Sequence, residues 1–371
     1  MHALPDIADP TALFSASYAK ARRRFRDAAQ HRGLGVESTV LDLPGADGET
    51  LAVDVVRDGP LDAARLLIVI SGVHGPEGYC GSAIQTGLLE LGPLEGLIDG
   101  PLRDTAVLHI HALNPWGFSH SRRVTQENVD LNRNCVDFHA PLPVNAAYAE
   151  IHDLLLPATW PPAPAIEEAL AAYAERVGPK GMQRAISLGQ YAWADGMFFG
   201  GQAPTWSNRA LRAILRRHGR RCRQIASIDI HTGLGPYGHG ERIFASPEQG
   251  APIFERARQW WGELTSVETG SSSSIPMTGP VQFAQWDECP QAEHTNICLE
   301  FGTLPMEQVQ QALRAEHWTR RYGADANRTT AARAALKAAF YPDANDWKAA
   351  VWRQGREAFV QALAGLQRVP V

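Results

Sequence analysis

The chain has 371 residues, 44% of them hydrophobic, and a formal net charge of −5. That is enough apolar material for one large core or two smaller ones, and too mild a charge for a nucleic-acid partner. No secretion-type leader opens MHALPDIADP, and the longest apolar run, residues 66–70, is too short to span a bilayer.

Five cysteines (Cys80, Cys135, Cys222, Cys289 and Cys298) stand at irregular spacings without a CxxC. They suit reduced thiols in a cytoplasmic protein better than a disulfide framework. The run Arg22-Arg23-Arg24 reads as the solvated face of a helix.

In chain order, residues 10–31 carry apolar positions near helical spacing and are predicted as a helix packed on the main body. Residues 38–43 and 50–56 alternate as short strands around the turn signal GADGE. Residues 66–70 form a continuous apolar run, as a strand buried on both faces requires. A helix over 78–91 and a buried strand over 106–112 follow. This alternation predicts an α/β fold with a mostly parallel sheet.

Residues 140–220 are more helical, with helices predicted at 146–155, 166–177 and 205–218 around the break PATWPPAPA. They read as an insertion into one domain. Buried-strand patterns return at 224–230, 243–246 and 296–300, and residues 306–371 form a C-terminal helical segment.

The candidate chemistry stands at strand ends. After residues 68–70, the turn Ser71-Gly72-Val73-His74-Gly75-Pro76-Glu77-Gly78 offers a His and a Glu three positions apart. In open α/β sheets ligands sit at the carboxyl ends of strands, and an imidazole with a carboxylate suits zinc. A second predicted strand ends in Asp229-Ile230-His231-Thr232-Gly233. His74, Glu77 and His231 together make a two-His, one-Glu site with an open position for water.

Asp229, two residues before His231 on the same side of a strand, is placed to accept that ring's second N–H, or else simply caps a loop. Glu300 closes a third buried strand, Ile297-Cys298-Leu299-Glu300. It is either a general base for water or a salt-bridged structural residue. Arg122, Arg123, Asn132 and Arg133 lie in polar segments between these strands. Arginine beside a metal polarises a carbonyl, steadies an oxyanion or clamps a carboxylate.

Taken in order, HGPEG, NPWGF, NVDLNRN, DIHTG and LEFG resemble the zinc carboxypeptidase (M14 metallopeptidase) superfamily over residues 66–305. They look closest to a bacterial, DUF2817-like branch of uncharacterised function. Gly189-Gln190-Tyr191, Gly200-Gly201 and residues 204–208 are similar to that branch too.

The resemblance implies a single α/β/α domain with a mixed sheet of about eight strands, binding one Zn²⁺ through His74, Glu77 and His231. It implies Glu300 as catalytic base, Asn132 and Arg133 as a clamp for a substrate carboxylate, and Arg122 or, preferably, Arg123 as the carbonyl-polarising arginine. The expected substrate is a small peptide or an N-acyl amino acid. A non-catalytic zinc-binding protein is the third reading, and cobalt or nickel would also suit the ligands.

Two departures stand out. Peptide-cleaving members carry a mobile tyrosine between the last His ligand and the catalytic Glu. Here only Tyr237 lies in that interval, and Tyr191 is the substitute that remains. The stretch Gly270-Ser271-Ser272-Ser273-Ser274 before IPMTGP is expected to form a flexible lid or rim.

Overall fold

Eight strands form where alternation or continuous apolar runs lead them to. They are β1 (Val36–Pro44), β2 (Thr50–Asp58), β3 (Arg65–Ile70), β4 (Thr105–His111), β5 (Gln224–Tyr237), β6 (Gly240–Phe244), β7 (Thr265–Ser266) and β8 (Glu293–Gly302). The computed structural model describes residues 6–98, 102–247 and 251–368. The strands build one sheet in the order β1-β2-β4-β3-β5-β8-β6-β7. Strands β4, β3, β5 and β8 run parallel at its centre, and β6 also pairs parallel with β7. Antiparallel pairings join β1 to β2, β2 to β4 and β8 to β6, so the sheet is mixed.

The helices among the described residues are α1 (Tyr18–His31), α2 (Gly78–Glu90), α3 (Pro115–Ser119), α4 (Ala146–Leu155), α5 (Pro164–Ser187), α6 (Trp206–Gly219), α7 (Ala251–Trp261), α8 (Ala284–Glu288), α9 (Met306–Tyr322), α10 (Ala326–Phe340) and α11 (Asn345–Arg368).

Strand β3 shows why two helical layers are needed. Its side chains alternate between faces. Leu67 and Val69 point into a core with residues of α2 and α11, while Leu66, Ile68 and Ile70 meet Leu211, Ile214 and Leu215 of α6. Both faces are apolar, so both are covered, and the result is an α/β/α sandwich. A third core joins α4, α5, α9 and α10 through Leu155, Leu170, Ile186, Val309, Leu313 and Phe340.

Four details differ from the pattern-based expectation. The first helix is a 3-10 turn at Pro10–Leu13 followed by α1. Strand β5 runs beyond residue 230 to Tyr237, and α5 continues past residue 177 across a kink at Gly178. Residues 251–261, given no element above, form α7.

All five cysteines are free. Among the described residues no helix is long and apolar enough to cross a membrane.

Candidate metal and catalytic site

The four parallel central strands deliver their carboxyl ends to one edge, and the candidate residues collect there. After β3 the chain turns through residues 71–77 into α2. A side chain on Gly75 would fall 2.1 Å from the carbonyl carbon of Gly117 and 2.3 Å from the Arg122 oxygen. Only glycine therefore lets the 117–123 segment press against this turn, and that contact sets Arg123 beside His74 and Glu77.

The structure brings His74, Glu77 and His231 together: one ligand atom from each lies within 4.8 Å of the others. All three side chains are buried. The Nδ1 atoms of His74 and His231 lie 2.9 and 2.7 Å from the two oxygens of Glu77. Each ring's far nitrogen is held from behind. His74 Nε2 donates to Asp130 Oδ1 at 3.1 Å and His231 Nε2 donates to Asp229 Oδ2 at 2.8 Å. A carboxylate behind an imidazole fixes the ring's orientation and leaves the opposite nitrogen for a metal.

Charge also suits a cation. Three buried carboxylates, Glu77, Asp130 and Asp229, stand around the two rings, with the guanidinium groups of Arg123 and Arg133 paired to Glu77 and Asp130. Buried charge of one sign is costly without a counter-ion. Two imidazole nitrogens and one carboxylate oxygen, amid an excess of buried carboxylates, fit Zn²⁺.

Asp130 also belongs to this cluster, and sequence reading did not single it out. Its Oδ1 accepts from His74 Nε2 and from the Asn132 backbone N–H at 3.0 Å, and its Oδ2 accepts from Arg123 Nε at 3.0 Å. Burial opposes its ionisation, but Arg133, Arg123 and His74 outweigh burial and hold the carboxyl well below the usual range. The signal lay inside NVDLNRN, where a lone acid sits among donors.

Glu300 stands beside His231, its register partner on the neighbouring parallel strand. Its Oε1 accepts from the Leu234 N–H at 3.0 Å. Burial and the Glu77 charge push its carboxyl up to about 8. For Glu77 burial is again opposed, here by His74 and His231, and the carboxyl is lowered. Burial would keep His231 neutral, yet Asp229 and Glu77 raise it well above the ordinary histidine value.

The two adjacent arginines part company. Arg123 NH1 donates to Glu77 Oε1 at 2.9 Å, and its guanidinium lines the cavity. Arg122 is directed into the core, where it forms a two-point ion pair with buried Glu316 of α9, NH2 donating at 3.0 Å. The expectation that Arg122 contacts substrate is therefore corrected: its guanidinium is engaged away from the cavity.

Asn132 and Arg133 both line the cavity. Asn132 Oδ1 accepts from the Val281 N–H at 3.0 Å, which turns its amide nitrogen toward His231, 3.4 Å away. Arg133 Nε donates to the Ser187 carbonyl at 3.2 Å, and its guanidinium lies over the Phe198 ring.

Neither tyrosine reaches the site. Tyr191 donates from its hydroxyl to the Arg133 carbonyl at 2.6 Å, supporting the backbone behind the clamp. Tyr237 is exposed and donates to Asp346.

The cavity in front of these groups measures about 900 Å³. The serine-rich stretch forms part of its rim through Ser274 and Ile275. That stretch does not hang free. The Ser273 N–H and hydroxyl donate to Glu241, and the carbonyls of Ser272 and Ser273 accept from Lys180 and Gln183 of α5.

Among solved structures, a carboxypeptidase A from Helicoverpa armigera is 12% identical with a TM-score of 0.43, covering 84% of this chain and 74% of that one. A metallo-carboxypeptidase from Pseudomonas aeruginosa is 14% identical at 0.42, covering 95% and 70%. A murein-tripeptide amidase from Escherichia coli O157 is 16% identical at 0.35, covering 78% and 93%. At these identities the likeness assigns no role to any residue. No curated protein matches the chain. The profile of the family described as "Protein of unknown function (DUF2817)" matches residues 14–354, nearly the whole length, and the chain belongs to that family.

Proposed function

We propose that this chain is a zinc-dependent hydrolase of amide bonds whose substrates end in a free carboxylate. The observation that carries the reading is the meeting of His74, Glu77 and His231 at one point, with Glu300 on the adjoining strand. His74 and His231 would hold the ion through Nδ1, and Glu77 through its carboxylate. When bound, zinc supplies Lewis acidity toward a carbonyl oxygen and lowers the pKa of a water toward ~7.

The remaining work falls to the chain's own side chains. Arg133 and the Asn132 amide receive the terminal carboxylate, a fork geometry that suits guanidinium. Glu300 takes the proton of the attacking water and passes it to the departing nitrogen. Arg123 donates to the carbonyl oxygen as negative charge builds there. Glu77, His231 and Glu300 are themselves buried, which strengthens each of these interactions.

Two substrate types satisfy this arrangement, a short peptide losing its last residue and an N-acyl amino acid losing its acyl group. Among the described residues no tyrosine lines the cavity. That favours the N-acyl amino acid, given the tyrosine of the peptide-cleaving carboxypeptidases that the sequence resembles.

The test combines metal analysis of the purified protein with hydrolysis of a panel of N-acyl amino acids and short peptides. We expect about one zinc per chain, activity lost to chelator and restored by zinc. Glu300→Gln should retain the metal while kcat falls about 10²–10⁴-fold, the usual worth of a positioned acid–base group. Activity that survives complete metal removal would refute the reading.

A further inference from the structure

We infer that the acyl half of the substrate is a medium or long hydrocarbon chain, so that the amide cleaved is that of an N-alkanoyl amino acid with an apolar side chain. This rests on the amide-hydrolase reading above and extends it to the substrate class.

The cavity has two apolar walls built from different parts of the fold. One belongs to the sheet edge and the adjoining loop, with Ile243, Val267, Ile275 and Met277. The clamp is tied to the next turn of this loop, since Val281 donates to Asn132 and the Cys135 N–H donates to the Gly279 carbonyl. The amino-acid half, carboxylate and side chain, belongs on this wall.

The second wall is helical. Leu170 and Ala174 of α5 face Val309 and Leu313 of α9, with Leu155 of α4 between them. Helices α5 and α9 share this wall. At one end they are bridged by Arg314, which pairs with Glu167 at 3.0 Å and also donates to the carbonyls of Leu154 and Leu155. Exposed Glu175, Lys180 and Glu307 line the same cavity from these helices, so the apolar slot is its buried part, among Leu155, Leu170, Val309 and Leu313.

A volume of about 900 Å³ sits near the top of the ~300–1,000 Å³ range of pockets for drug-sized ligands. An acetyl or succinyl group would leave the slot to water, which cannot hydrogen-bond to Leu, Ala and Val walls. A hydrocarbon chain fills it and matches its chemistry.

The reaction balances as a hydrolysis. Water adds its oxygen to the acyl carbon, the C–N bond breaks, and the nitrogen gains the water's proton through Glu300. The products are an alkanoate and the free amino acid, with no other reactant.

The experiment uses N-acetyl, N-butanoyl, N-octanoyl and N-dodecanoyl leucine with the zinc-loaded protein. Each buried methylene contributes about three- to fourfold, so kcat/KM should climb by that factor per carbon until the slot is full. In parallel, calorimetry on the Glu300→Gln protein should show affinity for the same ligands rising by a similar factor. Ala174→Trp, which places an indole in the slot, should lower the dodecanoyl-to-acetyl ratio of kcat/KM at least tenfold.

A flat or falling series, with N-acetyl leucine or dipeptides still hydrolysed, would overturn the hydrocarbon-chain assignment and leave the hydrolase reading standing. An unchanged ratio in Ala174→Trp would overturn the placement between α5 and α9. If the zinc-loaded protein cleaves no amide while Glu300→Gln binds the longer ligands more tightly, the hydrolase reading fails and the slot remains.

Discussion

Arg122 and Arg123 are neighbours whose side chains serve different ends, and nothing in their order announces which does which. The backbone around them is irregular, with Ser121 at φ 51 and Asn128 at φ 67. Neither helical nor strand periodicity therefore applies to where the side chains point. The two substitutions should separate cleanly. Arg122→Ala leaves Glu316 buried without its partner, a loss of about 3–5 kcal/mol, measurable as a lower denaturation midpoint. Arg123→Ala removes a donor aimed at the cavity and should lower kcat about 10²–10³-fold, while folded Arg122→Ala should keep a kcat near the parent value. An equal loss of kcat in both would contradict the assignment.

Asp130 invites the same kind of test. Asp130→Asn weakens the grip on His74 Nε2 and should reduce zinc affinity about 10–100-fold, read by competition with a chromophoric chelator. Unaltered affinity would mean that the ring is oriented by other contacts. His74, Glu77, His231 and Glu300 were legible because each sits at the end of an apolar strand. Asp130 and the fate of Arg122 were not, because both depend on contacts between segments far apart in sequence.

At the level of elements α7 was missed, while β2, β3, β4, α2, α4 and α6 were readable to within a few residues, since apolar runs and 3.6-residue spacing report burial directly. Helix α5 was not. Gly178 adopts φ 73, ψ 169, and Pro179 follows it. Proline disfavours helical backbone at the preceding residue, and this particular conformation is essentially confined to glycine. The first helical stretch therefore stops at residue 177, where the pattern stops, and the second stretch, from Pro179 to Ser187, is the part that was not read.

A side chain at Gly178 would meet nothing within 4 Å, so the cost of Gly178→Ala is backbone strain alone, about 1–3 kcal/mol. The expected result is faster hydrogen exchange in residues 164–187 and a lower thermal midpoint. Exchange and midpoint identical to the parent would show that the kink is not strained by a β-carbon.

For the molecule as a whole, the candidate metal centre joins chain segments that are far apart: the turn after β3, the loop at Asp130 and the ends of β5 and β8. The unfolded chain cannot assemble that set, so an ion held there stabilises only the folded state. At a free concentration about a thousandfold above Kd the gain is about 4 kcal/mol. Thermal unfolding should therefore move to higher temperature on adding zinc to chelator-treated protein, and His74→Ala should abolish the shift. A shift that persists in His74→Ala would place the stabilising ion elsewhere.

Ser187, whose carbonyl Arg133 holds, is the last residue of α5, the helix that roofs the cavity beyond the Gly178 bend. The guanidinium thus works as a latch between the roof and the floor. On the proposed reading, a carboxylate that claims these N–H groups takes them from the Ser187 carbonyl. Filling the anchor and loosening the roof then become coupled steps of that proposal.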